Sequence, residues 1–110
     1  MTHAGILQAF VVLSAESVTD DHPAHEFFRK RYETLRGEIS RAFGEICAQR
    51  GSVDAPQIAA TTASVTAVMD GLQVQWLLDR ENVALAEASR FAIEAIAAAV
   101  LAPQPRTIFD

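Results

Sequence analysis

Cysteine is nearly missing: Cys47 stands alone in 110 residues. A single thiol excludes an internal disulfide framework and any cysteine-based zinc site within one chain. Basic residues are also scarce, nine against fourteen acidic ones, for a net charge of -5. That balance argues against a module that binds nucleic acid by neutralising phosphates. No long hydrophobic run exists either. The longest uncharged apolar stretch, Ala4 to Ala15, falls far short of the ~20 residues a membrane span needs. No basic residue precedes it, so it does not read as a signal peptide. The five glycines are scattered, which removes a glycine-rich phosphate loop. Val and Ile occur singly within helical periods and never as an alternating strand run. These absences predict one soluble, cytoplasmic, all-α domain without a sheet.

What the chain does have is alanine, roughly a fifth of its residues and the best helix former. At 11.9 kDa and 50% hydrophobic, it has room for one domain with a real core. The periodicity predicts four helices, over about residues 4–18, 23–50, 55–78 and 83–102. The first is apolar on nearly every side (Ile6, Leu7, Phe10, Val11, Leu13), so other helices must enclose it. Pro23 suits a first helical turn, and the second helix follows with a stripe of Phe28, Tyr32, Leu35, Ile39, Ala42 and Ile46. Its other face offers Arg29/Glu33, Glu26/Lys30 and Arg41/Glu45 as i,i+4 pairs, a solvated ion-paired surface. Asp54, Pro56 and Gln57 form a capping sequence for the third helix. Asn82 is placed to cap the fourth, Gly51 to end the second, and Pro103 and Pro105 to end the last.

Between Ile58 and Leu78 the only charged side chain is Asp70. The fourth helix carries a ridge of small residues, Ala84, Ala88, Ala92, Ala95 and Ala99, which lets a neighbouring helix approach closely. This antiparallel pair has more apolar surface than two other helices can cover. The economical solution is a homodimer in which the last two helices of each chain form a four-helix bundle. Val65, Val68, Leu72, Gln75, Ala88, Ala92 and Ile96 are its expected interface.

Catalytic chemistry finds little support. His22, His25 and Glu26 share a helix start and could in principle hold a metal, but helix-start polarity accounts for them better. Cys47 has no histidine nearby in sequence and reads as a small buried hydrophobe. No enzyme signature, cofactor motif or metal set emerges. Asp70-Gly71 is the oddity, an acid and a glycine in the middle of an apolar helix. In a structural role, Gly71 permits a close helix crossing and Asp70 pairs with Tyr32, an arginine or a helix end. In a functional role, Asp70, Gln73 and Trp76 project polar atoms into a cavity between the first three helices. Phe10, Leu13, Phe28, Tyr32 and Met69 would complete its wall, although the same stripe also suits a filled core.

The stretch D-H-P-A-H-E-F-F-R-K-R-Y-E-T-L-R from Asp21 to Arg36, with V-M-D-G-L-Q-V-Q-W-L-L-D from Val68 to Asp79, resembles the C-terminal region of tetracycline-repressor (TetR) family transcription regulators. The likeness runs from about Gly5 to Ala102. It implies an effector-sensing and dimerisation domain, with a small hydrophobic molecule as effector. Members of that family open on a helix-turn-helix DNA-binding domain, for which this sequence has no counterpart. DNA would therefore be bound only through an N-terminal domain missing here. The alternative is a freestanding helical interaction protein that heterodimerises with full-length regulators.

Overall fold

Thr2 starts the first helix. Its backbone is extended and its hydroxyl accepts from the Gly5 amide at 3.0 Å, satisfying one of the amides that a helix N-terminus leaves open. The computed structural model describes residues 2–50 and 55–101. It contains α1 (His3–Glu16), α2 (His25–Gln49), α3 (Ala55–Leu78) and α4 (Leu85–Leu101), and among the described residues no strand. The all-α expectation is met.

Several boundaries differ from those expected, each for a local reason. α1 ends at Glu16, so Val18 lies beyond it and is exposed. Ser17 closes the end instead: its amide donates to the Leu13 carbonyl and its buried hydroxyl to the Ser14 carbonyl. α2 begins at His25 rather than Pro23, because two successive turns occupy the corner. There the His22 amide donates to the Thr19 carbonyl and the His25 amide to the His22 carbonyl. His22 Nδ1 also accepts from the Ala24 amide at 3.1 Å. α4 begins at Leu85 rather than Val83. Asn82, expected to cap it, stands three residues before this start, and its side-chain amide donates to Asp79 Oδ2 at 2.8 Å. The expected caps at Gly51, Asp54, Pro103 and Pro105 lie outside the described residues.

The exposed face of α2 is ion-paired, with one shift of register. Arg29 contacts Glu33 at 3.2 Å and also closes on Glu26, while among the described residues Lys30, Arg41 and Glu45 form no ion pair.

α3 is the element on which the others pack. Its principal contacts are with α4 and α2, and a lighter one with α1. α3 and α2 carry most of the buried side chains: Ile58, Thr61, Thr62 and Val65 on α3, with Phe28 and Cys47 on α2. Small residues permit the approach, and a Cβ on Gly44 would meet Ile58 Cδ1 at 4.0 Å. Buried hydroxyls need partners. Thr61, Thr62 and Thr66 donate to the carbonyls four residues back in their own helix, and Ser40 bridges to Thr62 at 2.9 Å.

Gly71 does not mark a close crossing within the chain. Among the described residues nothing outside its own stretch of helix lies within 4 Å of the position its Cβ would take. Coverage elsewhere is thin: no residue of α1 or α4 is buried, and Leu78 and Phe91 are 81% and 75% exposed. The radius of gyration is 16.2 Å, against about 13 Å for a compact chain of this length.

Gly37 also has open space around it, in the interior of α2. Gly37→Ala should therefore stabilise the protein by about 0.5–1 kcal/mol through helix propensity and a less flexible unfolded chain. Chemical denaturation measures this, and a loss of stability would mean that something packs on that face.

Candidate functional site

Two residues from different helices meet where α1, α2 and α3 converge. The Tyr32 hydroxyl of α2 donates to Asp70 Oδ2 of α3 at 2.6 Å. Of the partners open to Asp70 from sequence, the fold selects Tyr32. Both side chains are half-buried. Burial, followed by the hydrogen bond to Asp70 and the negative charge there, pushes the Tyr32 phenol up to about 12 from its ordinary 10.0. Each effect disfavours a phenolate.

The pair sits between two apolar grooves that share Phe10, Tyr32, Asp70 and Gln73. The first groove, about 290 Å³, is completed by Val11, Ser14, Ala15 and Val18 of α1's side and by Val74 of α3. The second, about 270 Å³, runs between α2 and α3 and adds Arg31, Leu35, Ile39, Val65, Thr66 and Met69. Phe10 forms part of both walls. Its ring meets Phe28 edge-to-face at 5.1 Å, and the Arg31 guanidinium lies 5.5 Å from its centroid. Each groove is near the lower end of small-molecule sites in volume, and joined they would be well within that range.

Phe10, Tyr32, Met69 and Gln73 are thus brought together with Asp70. Three other expected wall residues line neither of these two grooves. Phe28 is buried behind Phe10 and lines an adjoining groove with Ser14, Ser17, Val18, His25, Arg29 and Tyr32. Leu13 is largely exposed and borders none of these grooves. Trp76 is half-buried beneath Arg80, whose guanidinium stands 4.8 Å from its ring, and it lines neither groove at the Tyr32–Asp70 junction.

Val11, Ser14, Ala15, Val18 and Val74 form a groove wall that the sequence did not single out. An all-round apolar helix has no periodic contrast to say which face is the wall. The i,i+4 pairs Val11/Ala15 and Ser14/Val18 were the available signal, legible only once the groove is known.

Of the residues expected at a dimer interface, Val65 is buried inside the chain and lines the second groove. Val68, Leu72, Ala88, Ala92 and Ile96 are half-buried and Gln75 is exposed. At the α1–α2 corner, His22 and His25 are engaged with the backbone of Ala24 and Ser17, and Glu26 with Arg29. Among the described residues no three His, Cys, Asp or Glu side chains converge as a metal set, and no helix is long and apolar enough to cross a membrane.

Comparison with known families gives a match along nearly the whole chain. A family described as BetI-type transcriptional repressor, C-terminal, covers residues 4–101, which spans all four helices. The chain belongs to this family. It is the C-terminal domain of a TetR-type transcription regulator. No curated protein and no solved structure matches it. In this BetI-type domain the Tyr32–Asp70 junction is a place where polar groups from two helices meet between apolar grooves that α1, α2 and α3 help to line.

Tyr32 is the single tyrosine, so its ionisation can be followed by ultraviolet absorbance. The midpoint should fall near 12, and Asp70→Asn should bring it down part of the way, since burial remains. The linkage has a definite sign. With the folded value raised above the unfolded one, Tyr32's stabilising contribution is complete below pH ~10 and lost between ~10 and ~12. A midpoint at the ordinary value would show that the hydroxyl is not held by Asp70.

Proposed function

We propose that this domain senses a small hydrophobic effector and joins two copies of the chain, thereby controlling DNA binding by a helix-turn-helix domain attached to it. The observation that carries the sensing role is the pair of apolar grooves meeting at Tyr32 and Asp70. A few polar groups set in an apolar wall are what orient a small molecule. α1 rests only lightly on α3, so a molecule wedged beside Phe10 and Val74 can alter how the two helices sit. A ligand that favours one arrangement shifts the population toward it. α3 carries the change onward, because it also forms the base for α4.

Dimerisation is supported by the apolar surface left over. α4 packs principally on α3, buries none of its residues completely, and presents Phe91 and Ile93 to solvent. The accessible area of 8009 Å² is about a third above the roughly 5,900 Å² expected of a compact chain of this mass. Obligate dimers bury upward of ~2,000 Å² of mainly apolar surface. Val68, Leu72, Gln75, Ala88, Ala92 and Ile96 form the proposed interface, and Val65 supports it from within. Such a regulator works in the cytoplasm, where its DNA lies.

Light scattering at micromolar concentration should give about twice 11.9 kDa. Ala92→Arg should lower the mass to that of one chain or prevent folding, because it desolvates a charge at the helix contact. A wild-type monomer would refute the dimer.

For sensing, calorimetric titration with a panel of hydrophobic compounds should give saturable binding. Ala15→Trp, which fills the first groove, should abolish that binding with helix content unchanged. No binding by any compound would refute sensing, and unchanged binding in the variant would refute this groove as the site.

A further inference from the structure

Gly71 weakens the middle of α3 with no compensating contact inside the chain. A glycine in a helix interior is unfavourable relative to alanine, and is normally offset by a neighbour packed against the bare backbone. Among the described residues, nothing outside its own stretch of helix comes within 4 Å of where its Cβ would stand. Gly37 is open in the same way, but Glu33 and Arg41 stand one turn to either side of it, so that face of α2 belongs to water. Around Gly71 the exposed face of α3 runs through Ala63, Ala67, Gln75 and Leu78 and carries no charge. α4 holds the complementary feature. Phe91 is 75% exposed between Ala88 and Ala95, and among the described residues no ring or cation stacks on it.

We propose that two copies of the chain are joined by a reciprocal lock, in which Phe91 of each packs onto the partner subunit's Gly71. The lock rests on the pairing role proposed above and names the contact at its centre.

Position along the helices supports this contact. α3 and α4 pack on each other and are joined by the short segment 79–84. From the rise of an α-helix, Gly71 and Phe91 each lie about 10 Å from that turn. The knob and the gap are therefore level on adjacent helices. A two-fold axis running along the pair, between the two helices, lays α4 of each chain on α3 of the other and preserves level. Each contact is then made twice. The ring enters the gap between Ala67 and Gln75, as a ridge of one helix enters the groove of another, where a β-carbon would hold the helices apart. The lock is continuous with the surface proposed for pairing, because Val68 lies one turn before Gly71 and Ala88 one turn before Phe91. A second copy suits this face better than an unrelated protein, since one chain carries both halves. The accessible area exceeds that of a compact chain of this mass by roughly 2,000 Å², enough for the ~2,000 Å² or more that an obligate dimer covers.

Sedimentation equilibrium of the 110-residue chain, with helix content followed by circular dichroism, tests the lock. Phe91→Ala and Gly71→Leu should each weaken dimerisation at least roughly thirtyfold, the loss expected at the centre of an interface. Neither should reduce helix content, because Phe91 is exposed and the space at Gly71 is open within the chain. Gly37→Leu, on the solvated face of α2, should leave the dimer unchanged. Phe91→Ala combined with Gly71→Phe moves the ring to the opposite wall of the same contact and should restore most of the affinity. A dimer insensitive to both single substitutions would overturn the lock while pairing itself stands. Loss in both without recovery in the combined variant would also overturn it, since the two residues would then not meet. A wild-type monomer would overturn lock and pairing together.

Discussion

Everything in this fold depends on α3 serving as a common wall. α1, α2 and α4 each pack on it, and two of these contacts make up most of the tertiary structure. A helix in that position must be acceptable to apolar neighbours on several sides, which explains why Asp70 is its only charged side chain between Ile58 and Leu78. Its polar residues conform to the same demand. Thr61, Thr62 and Thr66 turn their hydroxyls back onto their own helix, so they can be buried without needing groups from elsewhere. The small Ser40, Gly44 and Cys47 of α2 then allow a close seam.

Asp70 is the exception to this arrangement, and its surroundings show how the exception is tolerated. It sits beyond the tightly packed first half of α3, where the buried residues end at Val65. There α1 makes only a light contact, and grooves open on both sides of the Tyr32 hydroxyl. One internal hydrogen bond and access to water together stabilise the carboxylate. A polar group in an apolar wall costs stability unless it is served in this way.

The chain thus divides into a close-packed half and a loosely covered half. The seam of Ile58, Thr62 and Val65 against α2 is continuous. The faces of α1 and α4 remain largely open, though both helices are strongly apolar. Such faces agree with the sensing and pairing roles proposed for this domain.

The sequence by itself determined the helical class, the order of the four helices and the family, because these depend on local periodicity, alanine content and short ordered motifs. It also narrowed the partner of Asp70 to a few groups, with Tyr32 among them. Helix ends were less legible, since the corner at 17–24 depends on the His22 imidazole and on successive turns rather than on Pro23 alone. The site was legible only in part. Phe10, Tyr32, Met69 and Gln73 come together at the junction, whereas Trp76 lies under Arg80 and Leu13 faces outward. Spacing places residues on one face of their own helix and leaves open the angle at which that face meets another helix. For α1, apolar all round, even the face was open until its packing on α3 chose Val11, Ser14 and Ala15.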